Sequence, residues 1–256
     1  MDDGILIVED LHKSYGHHKV LNGVSCSVKR SGHCVVIGPS GGGKSTLLRC
    51  IMGLEEIDSG RILFKGQEYI SRTGKRTFVN QELKLQVGMV FQQYNLFPHL
   101  TVLENCTLGP VKAQKTSPKE AAEKAQAILE SVGLHDKIHE YPNRLSGGQR
   151  QRAAIARSLT MGPQLMLFDE ITSALDPELI KGVLDLLAQV ALEGMTMLII
   201  THEMDFAVRI ADTVIFLDEG KIMDSGPADL IIHPKKERTR DFLDHFSKRL
   251  GGSTTA

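Results

Sequence analysis

Gly38-Pro39-Ser40-Gly41-Gly42-Gly43-Lys44-Ser45-Thr46 decides how the rest of the chain is read. It fits the phosphate-loop pattern G-x-x-x-x-G-K-[ST] from Gly38 to Ser45. Before it, Cys34-Val35-Val36-Ile37 is a short apolar run that reads as a buried strand. After it, Leu47, Leu48, Ile51 and Leu54 form an apolar face at helical spacing. Strand, glycine loop and helix is the context that turns the pattern into a site rather than a chance glycine turn. Glycines let the backbone fold so that N–H groups point inward at a phosphate, and the helix N-terminus adds partial positive charge. Lys44 supplies a full charge for outer phosphates and Ser45 a hydroxyl for Mg²⁺.

The whole chain sets bounds on that site. With 256 residues it holds one large domain or two small ones. A net charge of -1 gives no basic field that argues for nucleic acid. The composition, 41% hydrophobic and 24% charged, is that of a soluble globular protein. Apolar runs fall short of the ~20 residues that a membrane span needs. The start, Met1-Asp2-Asp3-Gly4, does not read as a signal peptide. Cys26, Cys34, Cys50 and Cys106 are scattered and read as core residues in a reducing compartment.

Along the chain, Ile5–Val8 and Val20–Val28 read as strands, with Tyr15 on a tight turn between them. An aromatic there either stacks on a base or packs in the core. Gly60–Gly66 reads as a strand, 67–86 as a loop or variable insert, and Val87–Phe91 as a strand ending at Gln92. Gln92 either caps its strand or reaches Mg²⁺ or a water. Tyr94-Asn95-Leu96-Phe97-Pro98-His99-Leu100 is too apolar for a solvent loop, so it is a docking surface or a loop folded on its own core. Thr101 to Glu104 and Ser117 to Glu120 have capping-box spacing, the second with Pro118 as first helical residue.

Ser146 and Gln149 again stand at capping-box spacing, around Gly147 and Gly148. Two glycines in a first turn cost ~1 kcal/mol each against alanine. Either they allow an anion close approach, or the turn is a plain cap. Leu165–Phe168 is an apolar strand that runs into Asp169-Glu170, where open α/β sheets bind ligands. Asp169 suits Mg²⁺, and Glu170 suits an attacking water. Asp176 as N-cap and Pro177 as first residue open the next helix. Met197–Ile200 is another buried strand, ending at Thr201-His202. A hairpin is expected at 213–224, and from Glu237 a helix carrying Phe242, Leu243, Phe246 and Leu250.

Taken together, the set resembles the nucleotide-binding subunit of ATP-binding cassette (ABC) transporters, over about residues 5 to 248. Tyr15 matches the adenine-stacking aromatic, and Gly38 to Thr46 the Walker A loop, so Gly38, Ser40, Gly41, Gly43, Lys44, Ser45 and Thr46 are expected on the nucleotide. Gln92 matches the Q-loop, and Leu145 to Gln149 the family signature, placing Ser146, Gly147, Gly148 and Gln149 on nucleotide too. Asp169 matches the Walker B carboxylate, Glu170 the catalytic glutamate, Ser173 to Asp176 the D-loop, and His202 the switch histidine. The resemblance implies ATP and Mg²⁺ as cofactors, with Ser45, Gln92 and Asp169 toward the metal and Glu170, His202 and Gln92 in catalysis.

Finer stretches are similar to the polar amino acid uptake branch: Leu48-Arg49-Cys50, Gly88–Gln92 through Leu103-Glu104-Asn105, Glu193–Thr196 through Glu203-Met204, and Arg238-Thr239-Arg240. Two departures stand out. Ile171 replaces the proline that usually follows the catalytic glutamate, and Ser31-Gly32 or Gly32-His33 replaces a Gly-Glu.

The implied architecture is α/β: a P-loop NTPase of ABC type with a RecA-like core, an antiparallel β subdomain and an inserted helical subdomain. Residues 1–92 and 162–250 are expected to form the core and β subdomain, 93–161 the helical signature subdomain, and 251–256 a disordered tail. Implied partners are a second copy, paired head to tail over ATP, and membrane permease subunits docking near Tyr94–Leu100. A substrate-binding protein acts indirectly, and nucleic acid is not expected. The implied place is the cytoplasmic face of the inner membrane, as a peripheral subunit. Competing readings are a soluble ABC ATPase acting on nucleic acid or ribosomes, and a regulatory module that binds ATP without hydrolysing it. Near-neutral charge argues against the first, and Glu170 with His202 against the second.

Overall fold

The computed structural model describes residues 4–74 and 76–250. The expected tail at 251–256 and the start at 1–3 lie outside the described residues, as do the side chains of Phe246 and Leu250. The chain opens with strands β1 (Gly4–Tyr15), β2 (His18–Lys29) and β3 (His33–Ile37), then helix α1 (Lys44–Ile51) and strands β4 (Ser59–Phe64), β5 (Gln67–Thr73) and β6 (Arg76–Val79). One helical turn, α2 (Gln81–Lys84), precedes β7 (Val87–Val90) and helices α3 (Val102–Ala113), α4 (Pro118–Ser131) and α5 (Gly147–Thr160). Next come β8 (Leu165–Asp169), α6 (Pro177–Leu192), β9 (Thr196–Ile200) and α7 (Met204–Ile210). The hairpin β10 (Thr213–Asp218) and β11 (Lys221–Gly226) leads to α8 (Asp229–Ile232) and α9 (Glu237–Leu250). Two compact units result: one runs to Asn80 and resumes at Thr196, the other is Gln81–Met195.

The first unit holds an antiparallel sheet in the order β2-β1-β4-β5-β6. Its inward residues, among them Leu6, Leu11, Ile62, Phe64, Tyr69 and Ile70, are fully buried. Residues 67–86, expected as a loop or insert, instead supply β5, β6 and α2. These short strands alternate weakly, and pairing of β5 with β4 and of β6 with β5 orders them more than their own pattern does. β1 also runs past Val8 to Tyr15 through register shifts beside Asp10, which has φ 48. Tyr15 therefore ends a strand, paired with His18 across the turn, rather than sitting on the turn itself.

The same unit holds strands in the order β11-β10-β3-β9, with β3 parallel to β9 and β10. Val35, Val36 and Ile37 are fully buried, as a parallel strand covered on both faces requires. The register pairs Val36 with Ile200 and Ile37 with Phe216. The loops after β3, β9 and β10 therefore leave from one end, which is where such sheets bind ligands.

In the second unit β7 runs parallel to β8, Val90 opposite Phe168, so the residues after each strand emerge at a common end. Helices α3, α4 and α5 pack on one another, with Ala121, Ala125, Leu129 and Ala153 to Ala156 buried. Thr101 caps α3 through a complete capping box. Ser117 makes only half of one: its hydroxyl accepts the Glu120 N–H at 3.2 Å. Asp176 stands at the N-cap position of α6, as expected, although its carboxylate bonds no helix N–H. Pro177, which lacks an N–H, begins the helix there.

Candidate functional site

In the first unit the stretch with the phosphate-loop pattern lies between β3 and α1. Gly38, at φ 148, lies so close to β10 that a Cβ would stand 2.0 Å from the Leu217 carbonyl oxygen. Gly43, at φ 99, is the N-cap of α1, and a Cβ there would meet the Val20 carbonyl oxygen at 2.6 Å. Both positions need glycine because neighbouring backbone presses on them, a reason separate from approach to a ligand. Lys44 is buried, and its Nζ donates to the Gly38 and Pro39 carbonyls at 3.0 and 2.9 Å. Ser45 and Thr46 lie half-buried in the first turn of α1, while Ser40 and Gly41 are exposed.

Tyr15 is 46% exposed. Lys13, buried and missed in the sequence, places Nζ 4.8 Å from the Tyr15 ring centroid and 3.6 Å from Glu55 Oε2. Partial burial and a hydrogen bond with Glu55 raise the Tyr15 phenol above its ordinary pKa, while Thr46 lowers it. The ring thus neighbours the phosphate-loop helix, one face against an ammonium. His202 is half-buried, two residues past β9, beside the turn in which Thr201 Oγ1 accepts the Glu203 N–H at 3.0 Å.

The second unit holds the acidic residues. Asp169, the last residue of β8, is 5% exposed. Glu170 follows in a left-handed conformation, φ 46, and its carbonyl accepts Ser173 N–H at 3.1 Å and Ser173 Oγ at 2.7 Å. A non-glycine residue held there is strained, and such strain gathers at functional sites. Ile171 is buried in the core, so the departure from proline places apolar volume there. Gln92 lies exposed two residues past β7, at the same end as Asp169 and Glu170.

The signature opens α5. Ser146 Oγ accepts the Gln149 N–H at 3.3 Å, and the Gln149 carboxamide takes the Ser146 N–H at 2.9 Å. Gly147 and Gly148 are helical, and a Cβ on Gly147 would meet Leu175 and the Tyr94 hydroxyl at 3.3 Å. Tyr94 and Asn95 take φ 46 and 53. The Tyr94 hydroxyl donates to the Ala174 carbonyl at 3.3 Å, and the Arg150 guanidinium lies 5.2 Å from its ring centroid. Asn105, also missed in the sequence, is buried and ties down the apolar loop. It accepts Phe97 N–H at 2.8 Å and donates to the Phe97, Leu100 and Thr101 carbonyls at 2.9–3.1 Å. Phe97 stays 42% exposed and Leu100 half-buried.

Cys34, Cys50 and Cys106 are buried and Cys26 half-buried. Burial pushes the Cys26, Cys50 and Cys106 thiols up to about 12 and Cys34 well above its ordinary value, so none is a thiolate at neutral pH. Among the described residues no helix is long and apolar enough to cross a membrane.

Comparison with known proteins bears on the family and the fold. The ABC transporter family profile matches residues 21–173. The glutamine transport ATP-binding protein GlnQ of Bacillus subtilis (strain 168) is 49% identical over 243 residues, 94% of this chain and 99% of the relative. The arginine transport ATP-binding protein ArtM of the same organism is 50% identical over 238 residues, 93% of this chain and 98% of the relative. Among solved structures, a dimeric ATP-binding cassette in a post-hydrolysis state with ADP and Pi has a TM-score of 0.75 and 31% identity, over 87% of this chain and 98% of that one. A phosphate loop, a signature helix and an Asp-Glu strand end, carried by a chain matched along nearly its whole length, place it in the ABC transporter family as an ATP-binding subunit.

Proposed function

We propose that this chain hydrolyses ATP to power import of a polar amino acid through membrane permease subunits, from the cytoplasmic face of the membrane. The observation that carries the hydrolytic reading is Glu170, held half-buried by a left-handed turn directly after buried Asp169. The substrate class rests on relatives named for glutamine and arginine transport.

Each residue then has a task. The loop from Gly38 to Thr46 wraps the phosphates, with Lys44 Nζ exchanging loop carbonyls for phosphate oxygens. Tyr15 stacks on the adenine through the ring face away from Lys13. Ser45, Gln92 and Asp169 offer hydroxyl, amide and carboxylate oxygens, a donor set that suits Mg²⁺. Bound there, the metal would neutralise developing charge on the phosphates. Glu170 takes or orients the proton of the attacking water, and His202 holds the outer phosphate end. Ser146, Gly147, Gly148, Gln149 and Asp176 contribute to nucleotide binding, the signature residues completing the site of a second copy. The permease docks near Tyr94–Leu100, where Phe97 is exposed on a loop braced by Asn105. A substrate-binding protein acts through that permease, and nucleic acid has no part.

Glu170→Gln keeps size and loses negative charge. It is expected to bind ATP near normally and to hydrolyse it at least ~100-fold more slowly, the scale of a lost general base. A phosphate-release assay on purified protein decides this, and wild-type turnover would refute the assignment.

A further inference from the structure

The stretch Arg238-Thr239-Arg240 marks the sequence but has no task in the scheme above. Its first residue lies in the first turn of α9 and reaches the end of β10 at the β10–β11 turn. Arg238 Nε donates to Asp218 Oδ2 at 2.7 Å, and Nη2 lies 2.7 Å from the same oxygen. Asp218 is 5% exposed, and its other oxygen accepts the Glu219 N–H at 2.9 Å. Thr239, fully buried, donates to Asp224 Oδ2 at 3.3 Å, and Lys236 bonds the Met223 carbonyl. The Phe242 ring lies 5.2 Å from that of Phe216. The start of α9 is thus fastened to the hairpin at several points.

That hairpin turn is also the surface on which the phosphate loop rests. A Cβ on Gly38 would meet the Leu217 carbonyl oxygen at 2.0 Å, and one on Gly42 would meet it at 3.0 Å and Asp218 Cα at 3.6 Å. The Gly220 N–H donates to the Gly42 carbonyl at 3.2 Å. The Gly220 carbonyl in turn accepts the Asn22 N–H at 2.8 Å, next to Val20, whose carbonyl oxygen would lie 2.6 Å from a Cβ on Gly43. Contacts this close leave the loop no slack: if the turn shifts, the loop shifts with it.

We infer that Arg238 is a positioning residue for the phosphate loop, acting through Asp218 and the β10–β11 turn. The physical reason is the buried carboxylate. Asp218 is buried while Arg238 is about half exposed, so removing the guanidinium leaves a buried carboxylate with the Glu219 N–H as its remaining hydrogen bond, and a buried charge short of partners is unfavourable. The turn then relaxes toward water and carries the backbone that holds Gly38 and Gly42. The C-terminal helix thereby becomes an input to nucleotide affinity. This rests on the reading of Gly38–Thr46 as the phosphate site.

The test is equilibrium binding of ATP to the purified chain, with thermal melts alongside. Arg238→Gln is expected to raise Kd for ATP about 3- to 10-fold, the range of mutations that act on a site through intervening contacts. Asp218→Asn combined with Arg238→Gln removes both charges and is expected to bring Kd back to within about 2-fold of wild type. Thr239→Val loosens α9 elsewhere. It is expected to lower Tm and leave Kd unchanged, and a matching rise in Kd would show general loosening and overturn the specific role of Arg238. If Arg238→Gln does not fold, Arg238→Lys, which keeps charge and loses the two-nitrogen grip, takes its place with an expected rise of about 2- to 3-fold. Lys44→Ala separates the two readings. Loss of ATP binding there, with wild-type Kd in the Arg238 variants, would overturn this inference alone. Retained binding in Lys44→Ala would overturn the phosphate-site reading and this inference with it.

Discussion

The N-termini of α1 and α5 both follow or contain glycines, yet they are shaped from opposite directions. At α1 the N-cap is Gly43, which has no side chain to close the first turn, and at its φ of 99 the Val20 backbone presses in, as Leu217 does on Gly38 and Gly42. At α5 the N-cap is Ser146, and a complete capping box with Gln149 closes the first turn from within. Gly147 and Gly148 add close packing on Leu175 and Leu179 but take no left-handed φ. The lesson is that a glycine-bearing N-terminus is no single device. The first is an uncapped helix end held in shape by other elements, suited to an anion. The second is a finished cap, closed from within by its own capping box.

That contrast gives a graded series of substitutions. Gly38→Ala should have the largest effect, because a methyl group 2.0 Å from a backbone oxygen cannot be accommodated. Loss of ATP binding together with more than ~3 kcal/mol of stability is expected, readable by denaturant titration. A folded, ATP-binding variant would show that the loop is not clamped from outside. Ser146→Ala comes next, at about 1 kcal/mol for a lost cap. An unchanged denaturation midpoint would mean the box contributes nothing. Gly147→Ala is smallest in stability: a helix-propensity gain of ~1 kcal/mol is offset by tight contact with Leu175. Its Tm should stay near wild type, and a fall as large as that of Gly38→Ala would erase the distinction.

Legibility in the sequence followed how local each determinant is. Strands β8 and β9 were plain because both are unbroken apolar runs. The caps at Thr101 and Ser146 were plain because both partners lie within one turn. β5 and β6 were hidden, since their order depends on pairing of β5 with β4 and of β6 with β5. Asp176 and Pro177 marked the start of α6 correctly, but a good N-cap residue type does not force its carboxylate onto the helix. Lys13 beside Tyr15, Asn105 under Phe97 and Arg238 on Asp218 were out of reach for different reasons. A buried lysine runs against type, an asparagine that locks a loop looks like any helix residue, and an ion pair between a helix and a distant hairpin has no spacing rule.

The central claim is that the two N-termini serve different nucleotides: the loop at Lys44 its own, the cap at Ser146 that of a second copy. Mixed dimers test this directly. Lys44→Ala and Ser146→Arg proteins should each fail to trap nucleotide with vanadate when assayed alone. Once light scattering has shown that mixed dimers form, one site carries both defects and the other none. The account predicts trapping at up to roughly half the wild-type amount per mixed dimer, as twofold pairing requires. No recovery on mixing would contradict it, leaving Ser146 a helix cap and nothing more.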